Sequence, residues 1–93
     1  MIASFRHKGL QRFYEQGDAR QIPTDLALRL RRIFAAVDTA QKITELGLFP
    51  GWRLHRLRGD LRGYWSISVS GNWRLVFRFK EGDAFDVDLV DYH

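Results

Sequence analysis

Residues 63–80 read Gly-Tyr-Trp-Ser-Ile-Ser-Val-Ser-Gly-Asn-Trp-Arg-Leu-Val-Phe-Arg-Phe-Lys. Bulky apolar residues alternate with polar or smaller ones on both sides of Ser70-Gly71-Asn72, and this period of two is typical of β-strands. The residues expected to face the core are Trp65, Ile67 and Val69 in the first strand and Trp73, Leu75, Phe77 and Phe79 in the second. The stretch therefore predicts a central antiparallel hairpin with one apolar face.

Two further strands are predicted beside this hairpin. Residues 53–57 precede the turn Arg58-Gly59-Asp60, and residues 84–93 follow the turn Glu81-Gly82-Asp83. In the last strand, the side chains expected on one face are Phe85, Val87 and Leu89.

The N-terminal half has a helical period instead. Residues 2–5 are a candidate first strand, and Leu10, Phe13 and Tyr14 then share a helical face that ends at Gly17. Thr24 is predicted to cap the clearest helix. The apolar stripe of that helix is Leu26, Leu30, Ile33, Phe34 and Val37. A short helical stretch capped by Asp38 or Thr39 is expected to end at Gly47.

This order of elements predicts an α+β fold. Helices come first and a meander of strands follows, so N-terminal helices should pack on one face of a mainly antiparallel sheet of about four or five strands. A chain of 93 residues has room for one core, and residues 1–93 are therefore expected to form a single domain.

The composition narrows the possible chemistry. The chain has no cysteine, which excludes disulfides, thiolate catalysis and cysteine-based zinc sites. Its three histidines lack the spacing of a metal site, so neither a metal nor a cofactor is predicted. The apolar runs are short and no signal-peptide core is recognisable, which predicts a cytoplasmic protein without membrane contact.

Positive charge is concentrated in one part of the chain. The net charge is +4, and residues 53–80 contain one acidic side chain, Asp60, whereas residues 81–93 contain acidic side chains and no lysine or arginine. Arginine grips phosphate in a planar fork, so the excess favours a nucleic-acid partner. The candidate RNA-binding residues are Arg56, Arg58, Arg62, Arg78 and Lys80. The alternative is that these residues pair with acids across neighbouring strands.

The last strand ends in three reactive side chains, Asp91-Tyr92-His93. Antiparallel pairing of the last two predicted strands would place Arg74 beside them, with His55 within range. Metal-free RNA cleavage needs proton transfer and positive charge on the phosphate, which these side chains can supply. The duller alternatives are a solvated tail, a structural histidine, and pairing of Arg74 with Asp86 or Asp88.

Five segments together resemble HigB-type toxins of the RelE superfamily, the plasmid maintenance system killer proteins. They are Met-Ile-Ala-Ser-Phe-Arg-His-Lys-Gly-Leu at 1–10, Leu-His-Arg-Leu-Arg-Gly-Asp at 54–60, Gly-Tyr-Trp-Ser-Ile at 63–67, Asn-Trp-Arg-Leu at 72–75 and Asp-Tyr-His at 91–93. The resemblance implies a type II toxin that enters the A site of the 70S ribosome and cuts mRNA there without metal. It also implies a helix-turn-helix (HigA-type) antitoxin, through which alone the toxin would meet operator DNA.

The resemblance also assigns site residues. His55 matches the family's strand histidine, Arg74 its phosphate-stabilising arginine, and Asp91, Tyr92 and His93 its catalytic C-terminus. Arg58 stands where the family's pattern has lysine, so a planar fork replaces a point charge. Two alternatives to the nuclease stay open at this stage: a non-catalytic RNA- or ribosome-binding module of the same fold, and a protein-interaction domain whose basic face docks an acidic partner.

Overall fold

The computed structural model describes residues 1–92, and His93 lies outside the described residues. Within this range, four strands form one sheet in the order β1-β2-β3-β4, and each strand is antiparallel to its neighbour. The strands are β1 His55–Arg56, β2 Trp65–Ser68, β3 Trp73–Lys80 and β4 Asp83–Asp91. In the register, Leu75 lies opposite Ile67 on one side and Leu89 on the other, which confirms the predicted hairpin and its inward face.

Two helices precede the sheet, α1 Lys8–Gln16 and α2 Ala27–Thr39. Short 3₁₀ helices cover Thr24–Leu26, Ile43–Leu48 and Gly59–Leu61. Gly17 ends α1 in the left-handed conformation, with φ of 72°, where glycine carries no steric penalty. Its N–H donates to the Phe13 carbonyl, which satisfies one of the free carbonyls at the helix end.

The core lies between the helices and the inner sheet face. The predicted stripe of α2 is fully buried, and it belongs to the same cluster as Leu75 and Phe77 of β3 and Leu10 of α1. This arrangement confirms the α+β class with helices packed on an antiparallel sheet. Among the described residues, no helix has the length and apolar character needed to cross a membrane.

The register prediction for the last strand is wrong at one residue. Asp86 has φ of 54°, and the β3–β4 pairing shifts between Val76 and Arg78, which marks a β-bulge. The extra residue moves Phe85 opposite Arg78, while Ala84 is fully buried in the core position opposite Phe79. A period of two cannot reveal such an insertion.

Two predicted caps are also wrong. Thr24 lies inside the first 3₁₀ turn, and neither that turn nor α2 has a side-chain hydrogen bond at its N-cap. The Thr39 hydroxyl donates back to the carbonyl of Ala35, so it extends α2 instead of starting a new helix. At the next 3₁₀ helix, the Glu45 carboxylate accepts from the backbone N–H of Lys42.

Asp38 fastens the first residues to the helical layer. Its carboxylate accepts the Tyr14 hydroxyl at 2.7 and 2.8 Å and the backbone N–H of Ile2 at 3.0 Å. Burial and this hydrogen bond raise the pKa of Tyr14 to about 12. The segment 2–5, predicted as a strand, forms two isolated parallel bridges to β4, Ile2 to Ala84 and Phe5 to Val87.

Candidate active site

The start of β3 and the end of β4 meet at one edge of the sheet. Arg74 lies opposite Val90, and Trp73 lies opposite Asp91. The backbone N–H of Tyr92 donates to the Asn72 carbonyl at 2.6 Å, so the end of the strand is tied to the β2–β3 turn. The guanidinium carbon of Arg74 lies 5.7 Å from the centroid of the Tyr92 ring, within the range of a cation–π contact. Arg74 and Tyr92 therefore converge as the hairpin register predicts, whereas the prediction for His93 concerns a residue outside the described ones.

Backbone carbonyls orient the Arg74 side chain. Its Nη1 donates to the carbonyls of Ser70 at 2.8 Å, Trp73 at 3.1 Å and Gly71 at 3.2 Å. All hydrogen bonds that the guanidinium makes within residues 1–92 use Nη1, and a guanidinium carries five N–H donors. Because carbonyls fix the group without cancelling its charge, the rest of the fork can bind an anion.

His55 lies on the same outer face, two strands from Arg74. It is opposite Ser66 in the register, and that row continues through Val76 to Asp88. Two strand spacings correspond to roughly 10 Å, so His55 and Arg74 can contact one nucleotide together only from opposite sides. The His55 ring is exposed, and its Nδ1 lies 2.8 Å from the Arg53 carbonyl. A carbonyl only accepts, so Nδ1 carries the proton, and Nε2 of the neutral ring is then an acceptor.

Ser66 lies on β2, between the strands that hold His55 and Arg74, and was not among the predicted site residues. It is 1% exposed, and its hydroxyl has no hydrogen-bond partner within residues 1–92. An unpaired buried hydroxyl costs free energy. From the sequence, the alternation of the strand predicts only that Ser66 faces away from the core.

The candidate RNA-binding residues fall into two groups. The first group lies near β1. The guanidinium carbon of Arg56 is 5.0 Å from the centroid of the Trp65 ring, and Arg58 and Arg62 are exposed around the Gly59–Leu61 turn that follows β1. Arg78 and Lys80 lie near the opposite end of β3, roughly 13–20 Å from Arg74 at the usual rise of a strand. The structure therefore does not bring this second group to the Arg74 edge.

Acidic pairing explains one of these residues. The Nε of Arg78 lies 3.2 Å from the Asp86 carboxylate, as the alternative of cross-strand pairing predicts. Arg74 contacts carbonyls and a ring instead of Asp86 or Asp88.

Within residues 1–92, no group of three histidine, aspartate or glutamate side chains is arranged to hold a metal ion.

The fold is shared with solved structures of other proteins. The chain matches YafQ from Escherichia coli with a TM-score of 0.63 and 13% identity, over 98% of this chain and 91% of that one. It matches the heterotetrameric YoeB-YefM toxin–antitoxin complex from Staphylococcus aureus with a TM-score of 0.62 and 17% identity, over 100% and 95% of the two chains. These likenesses define the fold class, a helical layer packed on an antiparallel sheet.

Sequence comparison then defines the family. The model of the RelE-like toxin of the type II toxin–antitoxin system HigB matches residues 3–93. The chain is 44% identical to Endoribonuclease HigB of Proteus vulgaris over 93 residues, which is the whole of both chains. It is 36% identical over 90 residues to Toxin HigB-1 of Vibrio cholerae serotype O1, covering 96% of this chain and 95% of that one. The chain belongs to the HigB-like toxin family of type II toxin–antitoxin systems, which confirms the resemblance, and its partner is accordingly an antitoxin.

Proposed function

We propose that this HigB-family endoribonuclease toxin cuts messenger RNA in the ribosomal A site without a metal ion and thereby inhibits translation. The observation that carries the proposal is the convergence of Arg74 and Tyr92 where β4 ends, with Arg74 oriented by backbone carbonyls and in no ion pair within residues 1–92. The name of the Proteus vulgaris relative, an endoribonuclease, supports the reaction class.

The reaction proposed is attack by the ribose 2′-hydroxyl on the adjacent phosphate. The O2′–P bond forms, the P–O5′ bond breaks, and the products are a 2′,3′-cyclic phosphate and a 5′-hydroxyl. Negative charge develops on the non-bridging oxygens as the phosphorus becomes five-coordinate. Arg74 would stabilise that charge through the N–H groups that the turn carbonyls leave unused.

Proton transfer would come from His55, Tyr92 and His93. His55 presents Nε2 as an acceptor and is suited to take the 2′-hydroxyl proton, a role it would share with Tyr92, which also orients the nucleotide. His93, supported by Asp91, is the proposed donor to the leaving 5′-oxygen, because a neighbouring carboxylate favours the imidazolium.

The proposed setting is the cytoplasm, where the 70S ribosome presents the substrate. Arg56, Arg58 and Arg62 are the proposed contacts to ribosomal or messenger RNA at the β1 side of the sheet. A helix-turn-helix antitoxin of the HigA type would hold the toxin inactive, and operator DNA would be met only through that antitoxin.

The proposal is tested by measuring how fast the toxin cleaves a defined mRNA that is bound to ribosomes. His93→Ala should lower the rate about 10²–10⁴-fold, the usual effect of losing an acid–base group. The matched control is His7→Asn, because His7 accepts the Leu10 N–H at the start of α1 and asparagine preserves such a cap. Products should carry a 5′-hydroxyl, and sulfur in place of a non-bridging oxygen should not be rescued by thiophilic metal ions. A 5′-phosphate on the products, or full activity of His93→Ala, would contradict the proposed site. Ribosome binding without cleavage would favour the non-catalytic module.

A further inference from the structure

A second basic feature adjoins Arg74. A pocket of about 480 Å³ opens between α2, the loop 50–53 and the β2–β3 turn. Four arginines line it, Arg29, Arg32, Arg53 and Arg74, and no aspartate or glutamate does. Two of these arginines, Arg29 and Arg32, lie on the polar face of α2.

The positive charge of this pocket is not neutralised within the described part of the chain. The side-chain ion pairs there are Arg20 with Asp18 and Arg78 with Asp86, both away from the pocket. Arg29 donates from Nη1 to the Val69 carbonyl at 3.1 Å, so a carbonyl holds it as carbonyls hold Arg74. Gathering four like charges around one cavity is unfavourable by itself, and a bound anion offsets that repulsion.

An aromatic stack with one exposed ring lies at the rim of the pocket. The Phe49 and Trp52 rings lie 4.0 Å apart between centroids at an interplanar angle of 14°, and Trp52 lines the pocket. Phe49 is 42% exposed, although a ring of this size usually packs inside. A cationic groove with a free aromatic face is the combination that binds single-stranded nucleic acid, because phosphates take the charge and bases stack on the ring.

We propose that this pocket binds a backbone phosphate of the messenger RNA next to the scissile phosphate, with the adjoining base stacked on Phe49. Arg74 belongs both to the pocket and to the candidate active site, so a phosphate held by Arg29 and Arg32 would be a close neighbour of the one that Arg74 holds. The inference rests on the proposed function, because it takes the phosphate at Arg74 to be the one cleaved.

Arg32→Gln tests the phosphate contact. The probe is a programmed ribosome whose mRNA carries a 2′-deoxy nucleotide at the cleavage position, so that toxin binding is measured without reaction. Each lost phosphate contact should make the slope of log affinity against log salt shallower by about 0.7. Arg32→Lys should retain the slope because it retains the charge. Arg31→Gln is the matched control, since Arg31 lies outside the pocket and stacks 5.3 Å over the Phe13 ring.

Phe49→Ala tests the base platform independently. Base stacking on an aromatic side chain predicts a loss of affinity of about fivefold to a hundredfold with an unchanged salt slope. Leu48→Ala is its control, because Leu48 is 81% exposed and stands next to Phe49 but offers no flat ring. Thermal melts of all variants establish that the fold is intact.

Three results would overturn the inference. The first is unchanged affinity and salt slope in Arg32→Gln, and the second is an equal loss on ribosomes that carry no mRNA, which would assign the pocket to ribosomal RNA. The third is that Arg32→Gln weakens binding of the antitoxin but not of the programmed ribosome, which would assign the pocket to an acidic protein surface. In each case wild-type cleavage persists, so the proposed function would stand, whereas absence of wild-type cleavage would remove the proposed function itself.

Discussion

Arg74 and Arg78 are the same residue type on the same strand and the same outer face, four positions apart, yet their surroundings differ. Arg74 is half-buried, donates to three backbone carbonyls and lies over the Tyr92 ring. Arg78 is exposed and pairs with the Asp86 carboxylate. A carbonyl positions a cation and a carboxylate neutralises it. Among residues 1–92, no carboxylate pairs with Arg74, so this end of β3 keeps a charge that a phosphate can use.

Among the variants that test the contrast between Arg74 and Arg78, the largest effect on cleavage is expected for Arg74→Ala. Removing a preorganised donor to a developing oxyanion typically slows catalysis about 10²–10³-fold, and we expect this loss in cleavage by programmed ribosomes. Arg74→Lys should recover part of the rate, because a point charge replaces the fork. If Arg74→Ala cleaved at the wild-type rate while folded, the contrast between the two arginines would have no bearing on catalysis.

Phe77→Ala separates unfolding from chemistry. Phe77 is fully buried near the middle of β3, and truncation of such a ring lowers the free energy of unfolding by about 3–5 kcal/mol. We expect the free energy of unfolding, measured by urea denaturation, to fall accordingly. The control is Phe79→Ala, whose half-buried ring should cost less. An unchanged melt of Phe77→Ala would remove β3 from the core.

Tyr14→Phe tests the hydrogen bond to Asp38, the residue that also holds the backbone of Ile2. Losing a hydrogen bond to the Asp38 carboxylate should cost about 1.5–3 kcal/mol at neutral pH. The pKa of Tyr14 rises from 10.0 to about 12 on folding. The unfolded chain therefore releases this proton first, so the stabilisation is complete below pH 10 and is lost between pH 10 and 12. The difference between wild type and variant should shrink over that interval in urea denaturation, and a constant difference would contradict the assignment.

The smallest effect is expected for Arg78→Ala. Ion pairs between exposed side chains contribute about 0.2–1 kcal/mol, and the two side chains here are 55% and 38% exposed. We expect an equally small change in the midpoint of thermal unfolding and unchanged cleavage. A large loss of cleavage would show that Arg78 contacts RNA despite its acidic partner.

Much of the fold was predictable because the periodicity is strong. The alternation through Trp65–Ile67 and Leu75–Phe77 predicted the hairpin, its inward face and the approach of Arg74 to the last strand. The bulge at Asp86 was not predictable, because one inserted residue changes the face of Phe85 without changing composition. Thr24 failed as a cap because a 3₁₀ turn begins one residue earlier than an α-helix there would.

The candidate site was predictable only where register fixes it. Arg74 and Tyr92 meet because antiparallel pairing forces them together. The pocket arginines come from elements that meet only in three dimensions: Arg29 and Arg32 lie on α2, whereas Arg53 has φ of 49° in a loop. No local pattern links them, although the spacing of three between Arg29 and Arg32 places both on one helical face.

The pairing of the segment 2–5 with β4 determines when the fold can be completed during synthesis. Ile2 pairs with Ala84 and Phe5 with Val87, so residues that are synthesised early can pair only after residues that are synthesised late. β4 also completes the edge where Arg74 meets Tyr92. Contacts between residues so distant in sequence form slowly. We therefore expect the nascent toxin to stay inactive until β4 has been synthesised.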